Sequence, residues 1–233
     1  RPISKWFVNG KLNATTNCLD RHIIAKKGNK TALIWESESG EKQTLSYKDL
    51  HEKVCRLANY LSQSCQIKKG DRVTLYMSLP PELAIAVLAC ARIGAIHSVV
   101  FAGFSAKSLQ DRLNDSQSVA IITSDIAFRR GKTIDLNTIV NEALNHAPSV
   151  THTIVHNRTK NSVQEDSKNS HDFNKAIESS SANHHAESMD SEDPLFILYT
   201  SGTTGKPKGI IHTTGGYLTH AQYSTKIVFD LKD

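Results

Sequence analysis

Short apolar runs alternate with amphipathic stretches between residues 72 and 155, and this alternation restricts the fold more than any other feature. Residues 72–77 (RVTLYM), 95–101, 119–123 and 150–155 are strand-length runs rich in Val, Ile and other apolar side chains. Helical stretches separate them. The first covers residues 82–93, opened by Pro81 and followed by Gly94; the next carries Leu109 and Leu113; the last is striped by Leu136, Ile139, Val140 and Leu144. Proline suits a first helical turn because its missing N–H has no partner there anyway, and glycine suits the stop. Strands separated by helices of this length need crossover connections, which make parallel pairs. The expectation is an α/β fold, a mainly parallel sheet flanked by helices.

The flanks read differently. Residues 31–35 and 42–45 are strand candidates joined by the turn Ser37-Glu38-Ser39-Gly40-Glu41, a hairpin. Ser46 with Asp49 three residues on forms a capping-box pattern. It opens a helix whose stripe is Leu50, Val54, Leu57, Ala58 and Leu61. Residues 1–30 show no clear periodicity and read as an irregular lead-in. Residues 157–191 are rich in Ser, Asn, His and charge, and read as a mobile loop carrying a short helix at 173–177. The pair His184-His185 reads as part of that solvated loop, because adjacent residues seldom aim at one ion. No metal-binding set is read anywhere in the chain. Residues 195–199 (LFILY) read as a buried strand.

Composition excludes several classes. With 233 residues and 39% hydrophobic side chains, the chain can bury a sizeable core. Its net charge is +5, but the basic residues are spread out. The tight groups are Lys26-Lys27, Lys68-Lys69, Arg129-Arg130-Gly131-Lys132 and Lys206-Pro207-Lys208, none of them the long run of a nucleic-acid arm. No nucleic-acid partner is expected. Four cysteines without C-x-x-C spacing support neither a zinc ribbon nor a thioredoxin-like motif, and Cys55 and Cys90 read as buried. The longest apolar run, residues 83–91, is far short of a membrane span. With no signal-peptide pattern, a reduced cytoplasmic setting is expected. The first residue is Arg and the last ones follow an apolar run, so the chain reads as a piece of something longer.

Residues 199–209 read Tyr-Thr-Ser-Gly-Thr-Thr-Gly-Lys-Pro-Lys-Gly. Glycines here allow tight turns that aim successive N–H groups into one concavity, a nest for anions. Thr200, Ser201, Thr203 and Thr204 add hydroxyl donors, and Lys206 and Lys208 add positive charge. No Asp or Glu occurs from Leu195 through Phe229. A Walker A loop is excluded, since two residues instead of four separate Gly202 from Gly205, and Pro207 stands where Ser or Thr would hold Mg²⁺.

This run resembles the signature loop of the acyl-adenylate-forming family, which includes acyl-CoA synthetases, luciferases and peptide-synthetase adenylation domains. Its flanks, residues 190–198 and 211–218, are similar to the acetyl-CoA synthetase branch of that family. So are Lys5-Trp6-Phe7, Gly10-Lys11-Leu12-Asn13 and Asn17-Cys18-Leu19-Asp20-Arg21-His22, and residues 45–50 are similar to an early core motif. The likeness covers nearly all the chain outside 157–191. It implies that residues 31–233 are part of a large, incomplete N-terminal ATP-binding domain of the adenylate-forming fold, with the C-terminal small domain absent.

The resemblance also implies an AMP-forming ligase that joins acetate to coenzyme A through acetyl-adenylate, with ATP, Mg²⁺ and coenzyme A taking part. It assigns the β- and γ-phosphates of ATP to Thr200, Ser201, Gly202, Thr203, Thr204, Gly205, Lys206 and Lys208. It assigns coenzyme A to Gly103, Arg129, Arg130, Gly131 and Lys132. Arg129 and Lys132 match the family's two basic positions best. Lys132 departs from members with Arg there, offering a point charge in place of a fork. The catalytic lysine, the Mg²⁺ carboxylate and the acyl pocket are implied to lie beyond Asp233, so the isolated chain is expected to be inactive. Two alternatives stay open: a propionyl- or other short-acyl-CoA synthetase, and a non-catalytic nucleotide- or RNA-binding module.

Overall fold

The computed structural model describes residues 6–159, 169–200 and 207–232. The chain begins with a short strand β1 (Lys11–Leu12), a wide π turn (Thr16–Asp20) and α1 (Arg21–Ile24). A hairpin of β2 (Thr31–Glu36) and β3 (Lys42–Ser46) follows. Next come α2 (Tyr47–Asn59), a second π turn (Tyr60–Ser64), β4 (Arg72–Met77), α3 (Pro81–Arg92), β5 (Ile96–Phe101) and α4 (Ala106–Ser116). The chain then forms β6 (Ala120–Ser124), a hairpin of β7 (Ile126–Arg129) and β8 (Lys132–Asp135), α5 (Leu136–Leu144) and β9 (His152–His156). It ends with β10 (Ser170–Asp172), α6 (Phe173–Glu178), β11 (Met189–Asp190), β12 (Pro194–Thr200), β13 (Lys208–Thr213) and α7 (Thr214–Ile227).

The central sheet has seven strands in the order β10-β9-β6-β4-β5-β12-β13. All neighbours run parallel except β13, which turns back against β12. Side chains alternate across it as a strand requires. On β4, Val73, Leu75 and Met77 face a core shared with α2 and α3, while Tyr76 faces a second core with Leu109 and Leu113 of α4 and Leu136 and Val140 of α5. The chain steps one way from β4 to β5 and the other way from β5 to β6. Right-handed crossovers therefore put α3 and α4 on opposite faces. The α/β expectation is met. The Ser46 cap is also as read: Ser46 Oγ accepts from Asp49 N–H at 3.1 Å, and the Asp49 carboxylate accepts from Ser46 N–H at 3.1 Å.

Three expectations are corrected. Residues 1–30 are not an irregular lead-in throughout. Asn13 is buried and its amide donates to the carbonyls of Ala91 and Glu187, both at 2.9 Å. Asp20 receives two hydrogen bonds from Arg92, at 2.9 and 3.0 Å. These anchors are polar and distant in sequence, so periodicity could not reveal them.

The stretch 157–191 is not a mobile loop over its described part, residues 169–191. It carries β10, α6 and β11, and residues 180–184 are held by donors from Arg56, Asn59 and Arg92 to backbone carbonyls. The helix read at 173–177 is present as α6. Finally, 195–199 is a strand, but only Leu195 is fully buried, and Leu198 is 47% exposed beside an edge strand whose Ile210 and Ile211 are also exposed. Among the described residues, no helix is long and apolar enough to cross a membrane. Cys55 and Cys90 are buried as read, and Cys65 joins them.

Candidate functional site at the carboxyl edge of the sheet

Because β5, β6 and β12 run parallel, their carboxyl ends lie along one edge of the sheet. Open α/β sheets present ligand sites at that edge. Gly103 lies two residues beyond β5, the β7–β8 hairpin begins two residues beyond β6, and Thr200 closes β12. The folding topology thus brings to one edge segments that lie about a hundred residues apart in the chain.

Gly103 and Arg129 are in close register. A Cβ built on Gly103 would meet Arg129 Nη1 at 2.6 Å and the Phe101 ring at 2.4 Å, so only glycine leaves room for both. The Arg129 guanidinium lies 4.7 Å from the centroid of the Phe101 ring, a cation–π contact that holds it over the strand end.

The cluster Arg129 to Lys132 is a tight hairpin. Arg129 pairs with Lys132, leaving Arg130 and Gly131 as the two loop residues with φ of 51° and 71°. Two successive positive φ angles mark the type I′ turn that matches strand twist, and Arg130 occupies a position where Asn or Gly is commoner. The turn aims two backbone N–H groups outward. Both donate to the carboxylate of Glu38, from Arg130 at 3.1 Å and Gly131 at 3.4 Å. The turn tip therefore accepts an anionic group. Sequence reasoning missed both the hairpin and Glu38, since nothing local links residue 38 to residue 130.

Thr200 and Lys208 pair across β12 and β13 and form the base of the Gly-rich segment. Both are exposed. Ser201, Gly202, Thr203, Thr204, Gly205 and Lys206 lie outside the described residues. Next to Thr200, the Tyr199 hydroxyl donates to Asp115 at 2.6 Å. Burial and the adjacent Asp115 carboxylate both push the Tyr199 hydroxyl pKa up, so it stays a donor. Arg112 lies 4.5 Å over the Phe104 ring and 5.6 Å over the Tyr199 ring, and burial lowers its pKa. These contacts tie β12 to α4. Arg112 and Asp115 were not singled out in the sequence, and their helical context alone gives no signal.

A model of the family described as "AMP-binding enzyme" matches residues 20–233. The chain belongs to that family. It is 48% identical over 231 residues to the acetyl-coenzyme A synthetase of Streptomyces coelicolor, covering 99% of this chain and 35% of that protein. It is 48% identical over 229 residues to the same-named protein of Escherichia coli K12, again covering 35% of it. The chain therefore spans about a third of the length of these curated relatives. Its fold superposes on the acetoacetyl-CoA synthetase of Streptomyces lividans with a TM-score of 0.90 and 26% identity, covering 99% of this chain and 34% of that one.

Proposed function

We propose that the full-length protein is an AMP-forming acetate–CoA ligase, and that this chain supplies its holds on triphosphate and coenzyme A. The observation that carries the reading is the convergence of the Thr200–Lys208 hairpin, Gly103 and the Arg129–Lys132 turn at one sheet edge, in a chain 48% identical to acetyl-coenzyme A synthetases.

In this reading the acetate carboxylate attacks the α-phosphorus of ATP, the bond to the pyrophosphate oxygen breaks, and negative charge gathers on the departing pyrophosphate. Hydroxyl, N–H and ammonium donors at Thr200 to Lys208 stabilise that charge as it develops, which is where electrostatic contacts accelerate most. The absence of any Asp or Glu between residues 195 and 229 suits this task. Mg²⁺, when bound, shares the neutralisation; no residue of this chain is assigned to hold it. In the second half-reaction the thiol of coenzyme A attacks the acetyl carbonyl and AMP leaves. Arg129, Arg130, Gly131 and Lys132 hold phosphate of coenzyme A, with Gly103 giving its backbone room to approach. The anionic ligand already on the Arg130–Gly131 amides, Glu38, supports the fit of a phosphate there. We read the setting as cytoplasmic.

Acetate-dependent exchange of pyrophosphate into ATP tests the reading in the full-length enzyme. Replacing Lys206 and Lys208 by Ala, or Gly202 by Val, lowers the exchange rate by about 10² or more, the scale for removing a donor to developing charge. Normal adenylation in all of these variants would refute the assignment.

A further inference from the structure

Tyr60, Cys65, His152 and His171 meet at the amino ends of the strands, on the far side of the sheet from the β12–β13 hairpin. Two features of the chain bring them together. At the end of α2 the helix widens into the π turn, where Cys65 N–H bonds to the Tyr60 carbonyl five residues back at 3.2 Å. In an α-helix, residues five apart point about 140° from one another. The wider turn brings Tyr60 and Cys65 toward one side, the local irregularity for which such turns are known. On the sheet, His171 pairs with Ile154, and His152 stands two residues before Ile154. Period-two alternation puts both imidazoles on the same face.

One thiol and two imidazoles offer the donor set of a metal site. The ligand atoms of Cys65, His152 and His171 lie within 4.8 Å of one another. His152 Nδ1 and His171 Nε2 are 3.1 Å apart, and Tyr60 Oη lies 2.8 Å from His171 Nδ1. Tetrahedral zinc with Zn–N of 2.0–2.1 Å and Zn–S of 2.3 Å sets its ligand atoms roughly 3.3–3.7 Å apart. The two nitrogens, 3.1 Å apart, separate by a few tenths of an ångström to reach that spacing, and a shift of about 1 Å brings in the sulfur. The Tyr60 contact supplies the outer partner that a ligating histidine usually has: with His171 Nδ1–H donating to Tyr60 Oη, the Nε2 lone pair that faces His152 Nδ1 is the one that turns to the metal. Burial lowers the pKa of both histidines, with His152 adding to the effect at His171. Cys65 is 4% exposed, and burial pushes its thiol up to about 11.

We propose that Cys65, His152 and His171 bind one zinc ion, with water in the fourth position, and that this ion pins the end of α2 to the β9–β10 edge. Binding converts the Cys65 thiol to a zinc thiolate and releases its proton, and no electron is transferred. His152 moves its ring proton from Nδ1 to Nε2, so both imidazoles stay neutral and each gives one lone pair to the metal. The site is remote from the carboxyl edge, so it is structural and independent of the ligase reading.

The test uses full-length protein carrying Cys18→Ser, which removes the exposed thiol. It is stripped with chelator and titrated with cobalt(II), whose thiolate charge-transfer and d–d bands report a tetrahedral Cys/His set. We expect both bands to saturate at one equivalent and to vanish when zinc is added. Cys65→Ser removes the charge-transfer band, His171→Gln weakens cobalt binding at least tenfold, and Tyr60→Phe weakens it about tenfold. If Cys65→Ser fails to fold by circular dichroism, the parent protein decides: zinc must protect Cys65 from alkylation, mapped by peptide mass spectrometry. Absence of the bands, a charge-transfer band that survives Cys65→Ser, or unprotected Cys65 overturns the proposal.

Discussion

Glu38 Oε1 accepts a hydrogen bond from the backbone N–H of Arg130 at 3.1 Å, joining the tips of two hairpins 92 residues apart. The second oxygen reaches Gly131 N–H at 3.4 Å. A carboxylate thus occupies the anion-accepting tip of the turn assigned to coenzyme A. In the full-length enzyme, Glu38→Gln removes a competing charge. The KM for coenzyme A falls about two- to fivefold at low salt with kcat unchanged, as expected of an exposed charge pair worth about 0.2–1 kcal/mol. The gain shrinks at high ionic strength. An unchanged or higher KM would mean that Glu38 only braces the turn.

Gly103→Ala tests the packing beneath that turn. The new methyl would overlap Arg129 Nη1 and the Phe101 ring, and both must swing away. Phe101 is 52% exposed, so the ring can move outward at small cost in folding stability, about 1 kcal/mol. The displaced guanidinium should raise the KM for coenzyme A about tenfold while leaving acetate-dependent pyrophosphate exchange intact. Loss of the exchange reaction would show that the glycine serves the whole domain and not this contact.

Arg92 and Asp20 supply a stability prediction. Arg92 is only 3% exposed, and it donates to both Asp20 oxygens, to Thr15 Oγ1 and to the His184 carbonyl. Burial opposes ionisation of Asp20, but the Arg92 and His51 contacts outweigh it and hold the carboxyl below its ordinary range. Asp20→Asn leaves a buried guanidinium without its counter-charge and lowers stability by about 2–4 kcal/mol in urea unfolding. A loss under about 0.5 kcal/mol would show the pair to be a surface contact in energetic terms.

What could be read from the chain follows from the range of the interactions. The β4-α3-β5-α4-β6 alternation was legible because strand and helix periods are local, and so was the Ser46–Asp49 cap. Arg129 and Lys132 were visible as a basic cluster, but their hairpin was not, because its bracing residue, Glu38, is remote in sequence. The same reason hid the order in residues 169–191. Only Phe173, Ala176, Ile177 and Met189 bury apolar side chains there, and residues 180–184 between them are held by Arg56, Asn59 and Arg92 reaching backbone carbonyls, a device that leaves no pattern in the segment's own composition. The zinc cluster was concealed likewise. Cys65, His152 and His171 share no ligand spacing in sequence and meet only through a π turn and strand register.

His97 on β5 is 7% exposed, stacks on Phe196 at 5.5 Å, and leaves Nδ1 without a partner. Burial pushes its pKa down from 6.5 to about 4. Because the folded pKa lies below the unfolded one, acid favours the unfolded chain. The neutral-ring contribution is complete above about pH 6.5 and is lost as pH falls toward about 4, on the order of 3 kcal/mol in all. His152, His156, His171 and His184 are also lowered chiefly by burial and add to the slope, whereas Asp20 acts only below its ordinary carboxylate range. His97→Leu removes the buried proton acceptor. It should match or exceed the parent at pH 7, since an unpaired buried nitrogen is costly, and should retain roughly 2–3 kcal/mol more of its stability between pH 6.5 and 4. Urea midpoints taken across that range check this directly: parallel curves for parent and variant would mean that His97 is not the group whose protonation unfolds the chain.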